Sequence, residues 1–111
     1  MKKEECPGKM RPVKDALEVL SGKWTLPILV SLMFGTRRFK QISKDVDGIT
    51  DRMLSKELKE METNQLLERK VIDTFPPRVE YSITEHGKSL GDVIMELHKW
   101  GLLHRQKIIG K

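Results

Sequence analysis

Apolar residues recur along this chain at helical spacing in five stretches and alternate at strand spacing near its middle. Val13, Ala16, Leu17 and Leu20 share one helix face, and Ser21-Gly22 ends that stretch. A second helix is expected from Leu26 to Phe34, with Thr25 as its N-cap and Pro27 in its first turn, where a missing N–H costs little. Ile28 to Phe34 is apolar nearly all round, which predicts a central buried helix stopped by Gly35. Phe39, Ile42 and Val46 mark a short third helix, followed by the turn Asp47-Gly48-Ile49. Thr50 caps a fourth, reaching about Asn64, with Leu54, Leu58 and Met61 on its inner stripe. The period then changes. Glu68 to Phe75 is rich in β-formers, Pro76-Pro77 breaks the run, and Val79, Tyr81 and Ile83 alternate on one face, which predicts a β-hairpin. Thr84 caps one long final helix whose stripe is Leu90, Val93, Ile94, Leu97, Trp100 and Leu103.

Four helices, a hairpin and a long helix, with two short helices joined by a tight turn just ahead of the hairpin, are the ingredients of a winged helix-turn-helix. The expected class is α+β, with an extra N-terminal segment and a long C-terminal dimerisation helix. Residues 1–12, which contain Pro7, Gly8 and Pro12, are expected to form an irregular arm, and residues 13–111 a single domain.

Composition changes this picture in two ways. The net charge of +5, from 21 Lys+Arg against 16 Asp+Glu, suggests a polyanionic partner such as nucleic acid, yet no polybasic block appears in the linear sequence. Any basic surface must therefore be assembled by folding. The single cysteine, Cys6, excludes an internal disulfide and any cysteine-rich zinc cluster. No apolar run approaches the ~20 residues of a membrane span, and no signal-peptide core follows Met1, so a cytoplasmic location is expected.

The fourth helix holds the candidate chemistry. Opposite its apolar stripe lie Arg52, Lys56, Lys59 and Thr63, with Ser55 on the flank. Long cationic donors on such a face can reach guanine edges or phosphate oxygens. In helix-turn-helix docking the N-terminal end meets the bases, so Thr50, Asp51, Arg52 and Ser55 are expected to read sequence, and Lys56 and Lys59 to hold phosphates. Met53 is a further candidate on the flank. Arg37, Arg38, Lys40 and Gln41 open the third helix, whose N-terminus suits a phosphate, and Arg78 stands at the hairpin tip beside Pro76 and Pro77. An ordinary amphipathic helix with a solvated charged face has the same pattern.

These segments also resemble a known family. Gly22-Lys23-Trp24, Arg37-Arg38-Phe39, Met53-Leu54-Ser55-Lys56-Glu57-Leu58-Lys59-Glu60-Met61-Glu62 and Pro76-Pro77-Arg78-Val79-Glu80-Tyr81-Ser82-Ile83-Thr84 are similar, in order, to the hallmark segments of the HxlR regulators, winged-helix proteins akin to the MarR group. Cys6-Pro7 matches the family's N-terminal Cys-Pro, while Met61 and Ile83 stand where leucine is usual. The resemblance implies a homodimer that binds double-stranded DNA at a pseudo-palindromic operator as repressor or activator. It also implies dimerisation through the N-terminal segment and the last helix, whose Leu90, Val93, Ile94, Leu97, Trp100 and Leu103 exceed what one small core absorbs.

Cys6 is a candidate redox sensor. Lys2, Lys3 and Lys9 favour a thiolate and Glu4 and Glu5 oppose it, and an inert thiol is the plainer reading. His86, His98 and His104 have no metal-like spacing, and no cofactor motif or catalytic signature is present, so neither a metal, a cofactor nor an enzyme is expected. A protein-interaction module and a sensor of a small-molecule or oxidant effector stand beside the DNA-binding reading, because fold does not fix function.

Overall fold

The computed structural model describes the backbone of residues 6–110 and the side chains of residues 10–110. Helix α1 spans Cys6–Leu20, α2 Thr25–Met33, α3 Phe39–Asp45 and α4 Asp51–Thr63; strands β1 (Leu67–Ile72) and β2 (Arg78–Ile83) follow, then α5 (Glu85–Lys88) and α6 (Gly91–Ile109). This is an α+β winged helix-turn-helix.

The N-terminal arm differs from expectation: it is helical from Cys6 onward, while residues 1–5 lie outside the described residues. Pro7 falls in the first turn, where no intrahelical N–H is needed. Pro12 lies inside the helix and forgoes one backbone bond, yet the helix continues to Leu20.

The core is built from the predicted stripes. Ile28, Leu29 and Leu32 of α2, Ile42 of α3, Val46 and Ile49 of the turn, and Leu54, Leu58 and Met61 of α4 are buried, together with Leu66 and Leu67. Each such side chain contributes about 1.5–3 kcal/mol on leaving water. That burial, more than propensity, fixes which face of α4 points outward. The α2 helix is less enclosed than its composition implies. Its N-cap is Trp24, so that Thr25 is its first residue, and Val30, Met33 and Phe34 remain exposed on one side.

The strands pair antiparallel in the register Leu67↔Ile83 to Ile72↔Arg78. The first strand ends at Ile72, three residues before the expected Phe75, and residues 73–77 form the tip, where the Thr74 hydroxyl donates to the Pro76 carbonyl at 2.9 Å. Arg37 adds a single antiparallel bridge to Tyr81 on the other edge of β2.

The expected long last helix is interrupted. Thr84 does cap it, its hydroxyl accepting from the Gly87 N–H at 2.9 Å, but α5 lasts one turn and α6 restarts at Gly91 after a tighter turn at Ser89-Leu90. Leu90 and Ile94 pack on the core, and no α6 residue is buried. The fold measures 59 × 36 × 22 Å with a radius of gyration of 16.8 Å. A compact chain of this length would have a radius of about 13 Å. Among the described residues, no single helix is long and apolar enough to cross a membrane.

Candidate nucleic-acid interface

The turn between α3 and α4 is set by local chemistry. Gly48 takes a positive φ of 85°, and the buried Ile49 pins the turn to the core. The Thr50 hydroxyl then accepts from the Met53 N–H at 3.1 Å, and Asp51 follows in the first turn, where an acid suits the helix dipole. The other end of α4 closes in a Schellman motif. Leu66 N–H donates to the Met61 carbonyl and Gln65 N–H to that of Glu62, both at 3.0 Å, with Gln65 left-handed at φ 60°. Both ends of α4 are therefore fixed, and so is its rotation.

With Leu54, Leu58 and Met61 buried, Arg52, Ser55, Lys56, Lys59 and Thr63 are all exposed on the opposite side, as their spacing predicts. Thr50 and Asp51 are also exposed. Met53 is not free in the same way: it is half-buried against the core and presents only part of its side chain.

Folding adds a residue that the sequence analysis missed. A groove runs between α4 and the wing, lined by Ser55, Leu58, Lys59, Glu62, Arg69 and Tyr81. Arg69 is paired with Tyr81 across the hairpin, so strand register delivers a further cation beside Lys59. Its β-rich context in the sequence gave no sign of that neighbourhood. A second groove between the start of α3 and β2 is lined by Arg38, Phe39, Lys40, Gln41 and Val79. There Arg38 and Lys40 are exposed, while the Gln41 side-chain carbonyl accepts from the Arg38 N–H at 2.8 Å and so caps α3. At the wing, Arg78 is exposed and lies 3.3 Å from a Glu80 carboxylate oxygen, a solvent-screened pair of little energy.

Arg37 is placed differently from the other cations. Its Nε is buried and lies 3.3 Å from Asp45 Oδ2, a contact whose angle falls short of a hydrogen bond. Cys6 opens α1, but its side chain lies outside the described residues.

Of the residues expected at a dimer interface, Leu90 and Ile94 pack on the chain's own core. Val93, Leu97, Trp100 and Leu103 are exposed, as are Met10, Val13 and Leu17 on α1. The His104 ring stacks on Trp100 at 4.9 Å. Val93, Leu97, Trp100, His104 and Ile108 follow helical spacing, so one apolar stripe of α6 stands uncovered. Among the described residues no cluster of His, Cys, Asp or Glu could hold a metal ion.

Comparison with known proteins agrees with this architecture. The profile of the HxlR-like helix-turn-helix family matches residues 19–108. The uncharacterized HTH-type transcriptional regulator YdeP of Bacillus subtilis is 38% identical over 97 residues, covering 87% of this chain and 76% of YdeP. A solved structure from Enterococcus faecalis V583, assigned to the MarR family of transcriptional regulators, superposes with a TM-score of 0.84 at 37% identity, over 93% of this chain and 94% of that one. The redox regulator HypR in its reduced form superposes with a TM-score of 0.80 at 33% identity, over 90% of this chain and 99% of HypR. These relatives are regulators, not enzymes. The chain belongs to the HxlR-like helix-turn-helix family of DNA-binding transcriptional regulators.

Proposed function

We propose that this chain acts as a homodimer on a pseudo-palindromic operator, with α4 in the major groove and the wing on the flanking DNA. The observation that carries this reading is the exposed face of α4, held opposite a fully buried stripe and joined to the wing by the groove that contains Arg69. The N-terminal residues Thr50, Asp51, Arg52 and Ser55 read base edges, with Met53 contributing its exposed part. Lys56, Lys59, Arg69, Arg38, Lys40 and Arg78 hold phosphates, and Gln41 fixes the start of α3. Dimerisation covers the apolar stripe of α6 through Val93, Leu97, Trp100 and Leu103, together with α1. Two symmetric copies of α4 then meet half-sites about 34–36 Å apart or a multiple of that.

HypR is a redox regulator, and Cys6 is the sole thiol on which an oxidant effector would act in this chain.

The test is selection of duplex fragments by the purified protein at two salt concentrations, followed by binding of Arg52→Ala and Lys59→Ala to the recovered site. Arg52→Ala is expected to lose about 1–3 kcal/mol and relax specificity at one base pair, and Lys59→Ala to weaken all sequences alike and reduce the salt slope by about one. Full affinity in both variants would show that the wrong face has been assigned.

A further inference from the structure

Arg37 has the sequence position of a phosphate contact, but its surroundings are those of a structural joint. Its backbone N–H donates to the Tyr81 carbonyl at 2.9 Å, and the Tyr81 N–H donates back to Arg37 at 2.8 Å. Beside this bridge the hydroxyls of Thr36 and Ser82 lie 2.9 Å apart. The linker between α2 and α3 is thus a third, one-residue strand on the wing. The Arg37 side chain meets Asp45 Oδ2 at 3.3 Å, and the same oxygen accepts from the Ser31 hydroxyl at 2.7 Å. Ser31 is buried in α2, and this bond satisfies its hydroxyl there. One carboxylate at the end of α3 therefore ties α2, the linker and, through the bridge, the wing.

We propose that Asp45 and Arg37 form a latch that sets the wing against the helix-turn-helix, and that both act as positioning residues rather than as DNA contacts. This rests on the DNA-binding reading above for its functional consequence, but not for the joint itself. The two roles of Arg37 predict opposite signs for one substitution. If Arg37 bound phosphate, Asp45→Asn would remove a competing acid, tighten DNA binding and steepen its salt dependence. If the pair is a latch, Asp45→Asn loosens the wing and weakens binding, by about fivefold for a partly exposed pair. The salt slope then stays unchanged, because no phosphate contact is lost.

Arg37→Gln provides the complementary measurement. It deletes the charge and with it the attraction to Asp45. A latch loses affinity in this variant about as Asp45→Asn does, with its slope unchanged, whereas a phosphate contact loses about 0.9 from the slope. Amide hydrogen exchange reads the joint without DNA. Exchange at Arg37 and Tyr81 is expected to quicken in Asp45→Asn and Asp45→Ala, with Leu58 in α4 unchanged. Tighter binding by Asp45→Asn, a reduced slope in Arg37→Gln, unchanged exchange at Tyr81, or equal acceleration at Leu58 would each overturn the latch. If wild-type protein shows no salt-dependent binding to duplex DNA, the DNA reading fails instead, and exchange at Tyr81 decides the latch alone.

Discussion

Gly87→Ala sets two effects of known size against each other. Gly87 is buried in the single turn of α5, against the junction of α4 and the wing. A Cβ built there falls inside the contact distance of the Leu66 carbonyl oxygen and 2.7 Å from Ile83 Cγ1. Helix propensity favours alanine by about 0.8–1.0 kcal/mol. The obstacle, however, is backbone and cannot rotate away. The Leu66 carbonyl also accepts the Thr84 N–H at 3.1 Å, and the Thr84 hydroxyl donates to the Gln65 carbonyl at 2.6 Å while capping α5. Relieving the clash moves this whole set of bonds. Overpacking of this kind costs about 1–3 kcal/mol, and straining a buried bond adds to it. The net expectation is a loss of about 1–3 kcal/mol, read as a lower urea midpoint at fixed protein concentration. Wing amides near Leu67 and Ile83 should also lose exchange protection, because those residues pair at the base of the hairpin. A gain of about 1 kcal/mol would mean that propensity wins and that Gly87 does not approach Leu66 this closely.

Gln65→Gly should act in the other direction. Gln65 takes a left-handed conformation, which costs an L-residue about 1–2 kcal/mol, and glycine gives back about 0.5–1 kcal/mol of that in chain entropy. The urea midpoint should rise, and a fall would show that the Gln65 side chain matters more than its backbone. Leu97→Lys with Trp100→Lys places two charges on the uncovered stripe of α6; sedimentation is expected to show a dimer for the native sequence and a monomer for this variant, with little change in the core because neither residue is buried. An unchanged dimer would place the interface elsewhere. Cys6→Ser should abolish release of the operator by diamide if the thiol is the sensor, and an unaltered response would assign Cys6 no such role.

The periodicity of the chain carried most of the fold. The inner stripes of α3 and α4, the Thr50 and Thr84 caps and the hairpin all follow from which positions are apolar and which residues satisfy free N–H groups, and these are local matters. The outward cations of α4 were legible for the same reason: once Leu54, Leu58 and Met61 are inside, a rigid helix leaves Arg52, Lys56 and Lys59 no other side. Helix boundaries were less legible. The start of α1 at Cys6 overrides Pro12, and the break after α5 follows the turn where Gly87 packs under Leu66, a partner 21 residues away in the chain. Pairings between distant segments were likewise decided only by tertiary structure. Arg37 and Arg38 are adjacent and identical in type, and nothing local separates them. One is drawn inward because Tyr81 pairs with its backbone and Asp45, itself held by Ser31, meets its side chain, while the other stays in solvent. Arg69 joins the α4 groove through strand register. Which cations form one surface depends on such long-range contacts, whereas which residues leave water depends mainly on their spacing.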